Sequence, residues 1–380
     1  MTQQAHQPFP EKIPGEVSEK DEKFFLFATS EDLTPEQIKR IKAPTRIVPE
    51  QRAALATHWH PEFVPVDLAV ERMQAMFPNL EEALIIPTQH NELLSYRGYS
   101  GVEVDCYSKG FNQKVQLLLH FEKDRVENAS RLRSILEHTR KYRATQLFEF
   151  IRAVNDENGN KVEKAVRETG AGKEIVNFTR IYVRKIERLI QKHHSSLPAN
   201  SLKNKLLRNF FHHLRQDYPD PFIDRVQIFL KTIKNMVKAD FNLDYFYRTS
   251  EIIEEARLHG GGIVIPHPEQ FWPILLAEYD VDGYEVWNPQ SQRYTEFLIS
   301  VVNRKNKEKK HLQKEILIFM GDDTHMGEKA MHAAYQDKKK AEREIGCQPA
   351  WEDPNIKRKL DSAGITRTSV IERYKQRLAG

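Results

Sequence analysis

Apolar residues follow three regimes along the chain. Over 53–119, short apolar runs alternate with a helical stretch. Residues 53–57 and 83–87 (ALIIP) are short enough for buried strands, 68–76 between them repeats its apolar residues at helical spacing, and 101–104 and 115–119 (VQLLL) predict two further strands. Over about 124–248 the apolar positions recur every three or four residues: Leu147, Phe148 and Ile151; Ile175, Phe178, Ile186 and Leu189; Leu206 and Phe210; Phe229 and Ile233. That period predicts four or five amphipathic helices and no strand. Alternation returns at about 249. A helix over 250–259 with Ser250 as its cap ends at the glycine run 260–262, strands follow at 263–265, 284–287 and 315–320, and a helix covers 296–303. Strands alternating with helices predict an α/β fold with a parallel sheet or barrel, here interrupted by an all-helical insertion.

The ends add less. Residues 1–22 are polar and read as a loose part of an N-terminal arm covering 1–45, within which Thr34-Pro35-Glu36-Gln37 spells a capped helix start. After 330 a basic helix around 338–340 and a polar stretch make a C-terminal helical tail, 331–380. The domains expected are therefore this arm, a discontinuous α/β domain of 46–123 and 249–330, the insertion 124–248, and the tail. Charge separates them: the chain of 380 residues carries 58 Lys+Arg against 54 Asp+Glu, a net +4, while 124–248 alone holds 25 against 15. The insertion is thus +10 and the remainder −6. Cys106 and Cys347 are too far apart in sequence for a CxxC site and supply no disulfide framework. With no signal-like start and no long apolar run, a cytoplasmic protein without membrane contact is expected.

Candidate chemistry gathers at the ends of the predicted strands. His58-Trp59-His60 follows one apolar run, His90 a second, His267 a third and Asp323-Thr324-His325 the last. Side chains alternate faces along a strand, so the H-x-H and D-x-H pairs each aim two ligands to one side. Glu103 and Glu285 interrupt strands that are otherwise apolar, and a carboxylate there is costly to bury unless paired or bound to metal. Imidazoles with carboxylates suit Zn, Mn or Fe better than Mg or Ca.

The order HWH at 58–60, a strand-end His90, G-x-E at 101–103, GGGIVIPHP at 260–268, G-x-E-V at 283–286 and GDDTH at 321–325 resembles the polymerase and histidinol phosphatase (PHP) domain over about two fifths of the chain. The resemblance implies a distorted (β/α)7 barrel holding two or three divalent ions. Carried over, it places His58, His60, Glu103 and Asp323 on a first metal, Glu103 and His267 on a second, and His90 with His325 on a third. The acidic ligand that usually follows H-x-H falls to Asp67, or to Glu62. The strand histidine after G-x-E falls to His120, with Gln116 in the usual register. The implied reaction is phosphoester hydrolysis by a metal-bound hydroxide, with Glu103 and Asp323 in the reacting centre, Arg97 as the side chain expected to hold phosphate oxygens, and Asp322 as an orienting or turn residue. The substrate is then a small phosphorylated molecule with the insertion as its lid. Alternatively, clusters such as Arg180/Arg184/Lys185/Arg188 make the insertion a nucleic-acid platform for a nuclease, or the metal serves only a scaffold protein.

Overall fold

The computed structural model describes residues 13–157, 159–308, 314–333 and 336–380. Two capping boxes lie near its start. Ser18 and Asp21 exchange hydrogen bonds at the head of α1 (Glu19–Thr29), and Thr34 and Gln37 do the same for α2 (Pro35–Lys42), as the T-P-E-Q spelling predicts. Strand β1 (Ala53–Ala56) is followed by the two-residue β2 (Trp59–His60), then by α3 (Val66–Met76) and β3 (Glu82–Ile85), which returns parallel to β1. Next come β4 (Leu94–Tyr96), β5 (Tyr99–Ser108) and β6 (Gln113–Glu122) as an antiparallel meander. Only residues 109–112 join β5 to β6, whereas a parallel pair needs a crossover of about a dozen residues or more. The parallel expectation therefore fails at this point.

Within α4 (Ser130–Asn155) the chain passes from one compact unit to another. The helical unit, 141–242 with the described part of 1–32, holds α5 (Asn160–Thr169), α6 (Lys173–His193), α7 (Lys205–His213) and α8 (Asp220–Ala239) together with α1. Its core is the predicted stripe: Leu147, Ile151, Phe178, Ile186, Phe210, Phe229 and Ile233 are buried, joined by Phe25 of α1. Phe148 does not belong to it; the next residue after Leu147 lies about 100° round the helix, and it is exposed.

The second unit is 33–140 with 243–380. After α9 (Thr249–Leu258), whose cap residue is Arg248 and not Ser250, come β7 (Gly262–Ile265), β8 (Gly283–Trp287), α10 (Thr295–Glu308), β9 (Leu317–Met320) and β10 (Thr324–His325). Strand order β4-β5-β6-β7-β8-β9 makes one mixed sheet, antiparallel as far as β7 and parallel from β7 to β9. Among the described residues β2 pairs with β10 alone, and β1 with β3 alone. Among the described residues these three ladders do not close a (β/α)7 barrel; the architecture shown is mixed α/β. The C-terminal stretch is more than a polar tail. Beyond α11 (Met326–Ala330), α12 (Lys338–Ala341) and α13 (Pro354–Asp361), α14 (Arg367–Ala379) buries Val370, Ile371, Tyr374 and Leu378, a helical stripe, in the core of the sheet. No helix among the described residues is long and apolar enough to cross a membrane.

Candidate metal centre

Backbone pairing collects the candidate ligands in the second unit. β2 meets β10 with His60 directly opposite His325, and the Asp323 amide donates to the His58 carbonyl at 2.9 Å. A bridge pairs His90 with Glu103, sealed by the Asn91 amide on the Glu103 carbonyl (2.7 Å) and the Glu103 amide on the Gln89 carbonyl (3.0 Å). His267 leaves the end of β7. His267 and Asp323 both take positive φ, 32° and 46°, a region sparsely used by residues other than glycine. Backbone strain of this kind collects at ligand clamps.

The side chains converge. His58 Nε2 lies 3.9 Å from Glu103 Oε1 and 3.8 Å from Asp323 Oδ1, and His60 Nε2 lies 3.7 Å from Glu103 Oε2 and 3.4 Å from the same Asp323 Oδ1. Donors about 2.0–2.2 Å from one zinc-sized ion at tetrahedral corners would sit about 3.3–3.6 Å apart; His58, His60 and Glu103 form one potential ligand group, with Asp323 Oδ1 beside its two histidines. His267 Nε2 stands 3.7 Å from Glu103 Oε1. On the other side His325 Nε2 is 3.4 Å from Asp323 Oδ1, and the His60, His90 and His325 nitrogens form a second potential ligand group that shares His60 with the first. The buried Nε2 atoms of His58 and His60 have no hydrogen-bond partner. Uncompensated buried polar atoms are expensive, and a cation is the partner that donors of this chemistry accept. Side-chain exposure rises from 0–1% at His58, His60 and Glu103 to 16% at Glu62 and 21% at His90, so water reaches the centre from that side.

Electrostatics keep the ligand atoms of His60, Glu103 and Asp323 free of protons, whereas His58 without an ion is driven toward its protonated form. Burial, then the neighbouring His90 and His325, hold His60 well below the ordinary histidine range, so it is neutral. Burial favours protonation of Glu103, but His90, His267 and His60 outweigh it and hold the carboxyl well below its usual range. Asp323 is lowered in the same way: burial opposes, and His325, His60 and His58 prevail. His58 is pushed up to about 10. Burial opposes the charge, while Glu285, 2.6 Å from Nδ1, and then Asp323 and Glu103 overcome it. Glu285 also accepts the His267 amide at 3.1 Å, so one strand carboxylate orients two ligands. A Cβ at position 321 would lie 2.1 Å from Glu285 Oε1, which is why glycine opens the GDDTH turn.

Several expected residues stand elsewhere. Asp67 is exposed in the first turn of α3, outside both ligand groups; Glu62, with φ 57°, brings Oε1 to 3.2 Å from His325 Nδ1. His120 is excluded by its own bonding: Nε2 donates to the Thr57 carbonyl (2.9 Å) and Nδ1 accepts from the Tyr374 hydroxyl (2.7 Å), leaving no lone pair, and burial lowers it to about 3. Gln116 lies further along β6, opposite Asp105 and outside the ligand groups. Arg97 is exposed in the tight β4–β5 turn, over the Tyr96 ring. The arginine at the centre is Arg343, whose Nη1 donates to Asp323 Oδ2 at 2.6 Å; only proximity in the fold reveals it. Asp322 is a turn residue, accepting from the Thr324 and Gly346 amides. In the helical unit, Arg180 donates to the Val154 and Asp156 carbonyls, Arg184 to Glu157, Lys185 to Asp21 and Arg188 to the Gly15 carbonyl, so that cluster is bonded internally.

No family model matches the chain, and no curated protein matches it. A crystal structure of a protein from Bifidobacterium adolescentis, provisionally described as a metal-dependent phosphoesterase, matches with 14% identity over 74% of this chain and 88% of that one, at a TM-score of 0.38. A likeness that loose carries no argument about the reaction.

Proposed function

We propose that this chain is a metal-dependent hydrolase of phosphoesters of the polymerase and histidinol phosphatase kind, working with two or three divalent ions of the Zn, Mn or Fe type. The observation that carries the reading is the group His58, His60 and Glu103, with Asp323 Oδ1 beside both histidines at histidine-to-carboxylate distances of 3.4–3.9 Å, adjoining a second histidine group through His60. Ions held in this way would neutralise phosphoryl oxygens and bring the pKa of a water near neutrality.

The residues have separable tasks. Glu103 faces His58 and His267 with one oxygen and His60 and, more closely, His90 with the other, so it can bridge two positions and set their separation. Asp323 Oδ1 stands between the His58/His60 pair and His325 and does the same on the other flank. His90 and Glu62, the more exposed members, face the side from which substrate arrives. Internal bonding of the Arg180 cluster supports a small phosphorylated substrate over a nucleic-acid strand. The test is turnover of p-nitrophenyl phosphate with added Mn2+ or Zn2+: we expect hydrolysis that a chelator abolishes and His60→Ala lacks. Chelator-insensitive turnover, or unchanged turnover in His60→Ala, would overturn the reading.

A further inference from the structure

Arg343 and Gln290 hold the Asp323 carboxylate through a single oxygen. Arg343 Nη1 donates to its Oδ2 at 2.6 Å and to its own main-chain carbonyl at 2.9 Å, and Gln290 Nε2 donates to the same Oδ2 at 2.6 Å. Arg343 and Asp323 are both buried. Oδ1 carries none of these bonds and is the atom within 3.4–3.8 Å of the His58, His60 and His325 nitrogens. The two oxygens of one carboxylate therefore have different work, and the positive φ of Asp323 is fixed by a guanidinium nitrogen that grips its backbone and side chain together.

We infer that Arg343 and Gln290 form a clamp that makes Asp323 a one-oxygen ligand, withholding Oδ2 from the cation and presenting Oδ1 to both histidine groups. This rests on the metal-centre reading above but not on the reaction. A carboxylate chelating through both oxygens adds a donor and pulls the ion off a four-coordinate geometry; a clamped one cannot. Arg343 is a positioning residue, acting on the ion only through the carboxylate it holds.

Co2+ bound to the full chain reports coordination through its visible spectrum, which is intense for four ligands and weak for five or six. The unmodified chain should give the intense band. Arg343→Met and Gln290→Leu should each weaken it, with the Co2+ Kd rising about 10–100-fold, the usual cost of losing a partner behind a ligand. Arg343→Lys, which keeps the charge but not the two-point grip, should weaken the band as well, and circular dichroism of each variant should match the unmodified chain. Unchanged spectra and affinity in folded Arg343→Lys and Gln290→Leu would overturn the clamp. No Co2+ binding by the unmodified chain would overturn both the clamp and the centre, whereas the predicted spectral change without phosphoester turnover supports the clamp and overturns the hydrolase reading alone.

Discussion

Two buried charged clusters in the sheet-bearing unit have opposite characters. Around Glu344 every guanidinium nitrogen of Arg72 is used: Nε and Nη2 donate to the carboxylate at 2.7 and 2.6 Å, and Nη1 to the carbonyls of residues 40, 41 and 43. Lys329 at 3.0 Å and the Thr45 hydroxyl complete the shell. Around Glu103 the Nε2 atoms of His58 and His60 stand without hydrogen-bond partners, 3.9 and 3.7 Å from its oxygens, spacings suited to a shared ion. A structural ion pair closes on itself, whereas a ligand set stays open. Both clusters are buried, so openness is the property that separates function from stability.

That contrast can be broken most forcefully at the open cluster. His60→Ala or Glu103→Gln should cost about 10³-fold or more in p-nitrophenyl phosphate turnover, the worth of several kcal/mol of charge stabilisation, while thermal stability without added metal falls little; steady-state rates and calorimetry check the two halves. At the closed cluster Glu344→Ala should leave Arg72 and Lys329 buried and unpaired, costing about 3–5 kcal/mol in denaturant unfolding, with bound metal per folded chain unchanged. Burial opposes ionisation of the Glu344 carboxyl, but Arg72 and Lys329 win and hold it below the usual range. Its contribution is therefore present above the unfolded carboxyl pKa and disappears as pH falls through the lower folded value. The stability gap between the native chain and Glu344→Gln should narrow on acidification, and a gap that widened would contradict the assignment.

Smaller effects sharpen the boundary. His120→Ala strands the Tyr374 hydroxyl and the Thr57 carbonyl and should cost about 1–3 kcal/mol, with metal content by elemental analysis unaltered; loss of an ion would restore His120 as a ligand. Arg97→Ala, at an exposed turn, should stay within about 0.5 kcal/mol in stability and leave turnover unchanged.

Local patterning made much of this legible. The helical stripe of the insertion, the T-P-E-Q cap and the strands around 53–57, 263–265 and 284–287 follow from period and propensity, and the histidines of residues 58, 60, 90, 267 and 325 announced themselves by lying at strand ends. Ser18-Glu19-Lys20-Asp21 carries the same capping signature as α2 and was equally readable. What spacing cannot give is direction and partnership. The β5–β6 hairpin turns on residues 109–112, which lack a strong two-residue turn signal. His120 shares a strand face with potential ligands, but Tyr374, more than 250 residues on, claims it. Spacing does not tell that Glu62 turns toward His325 while Asp67 lies exposed on α3. Arg343 lies beyond any motif and enters through tertiary packing alone.

The ion content of the purified chain tests the ligand set most directly. Elemental analysis after exchange into Zn2+ or Mn2+ and removal of free metal should find two or three divalent ions per unmodified chain, and few or none in a folded His60→Ala chain, since His60 belongs to both ligand groups. A native chain that retains no ion, or a His60→Ala chain that retains as many as the native, would contradict it.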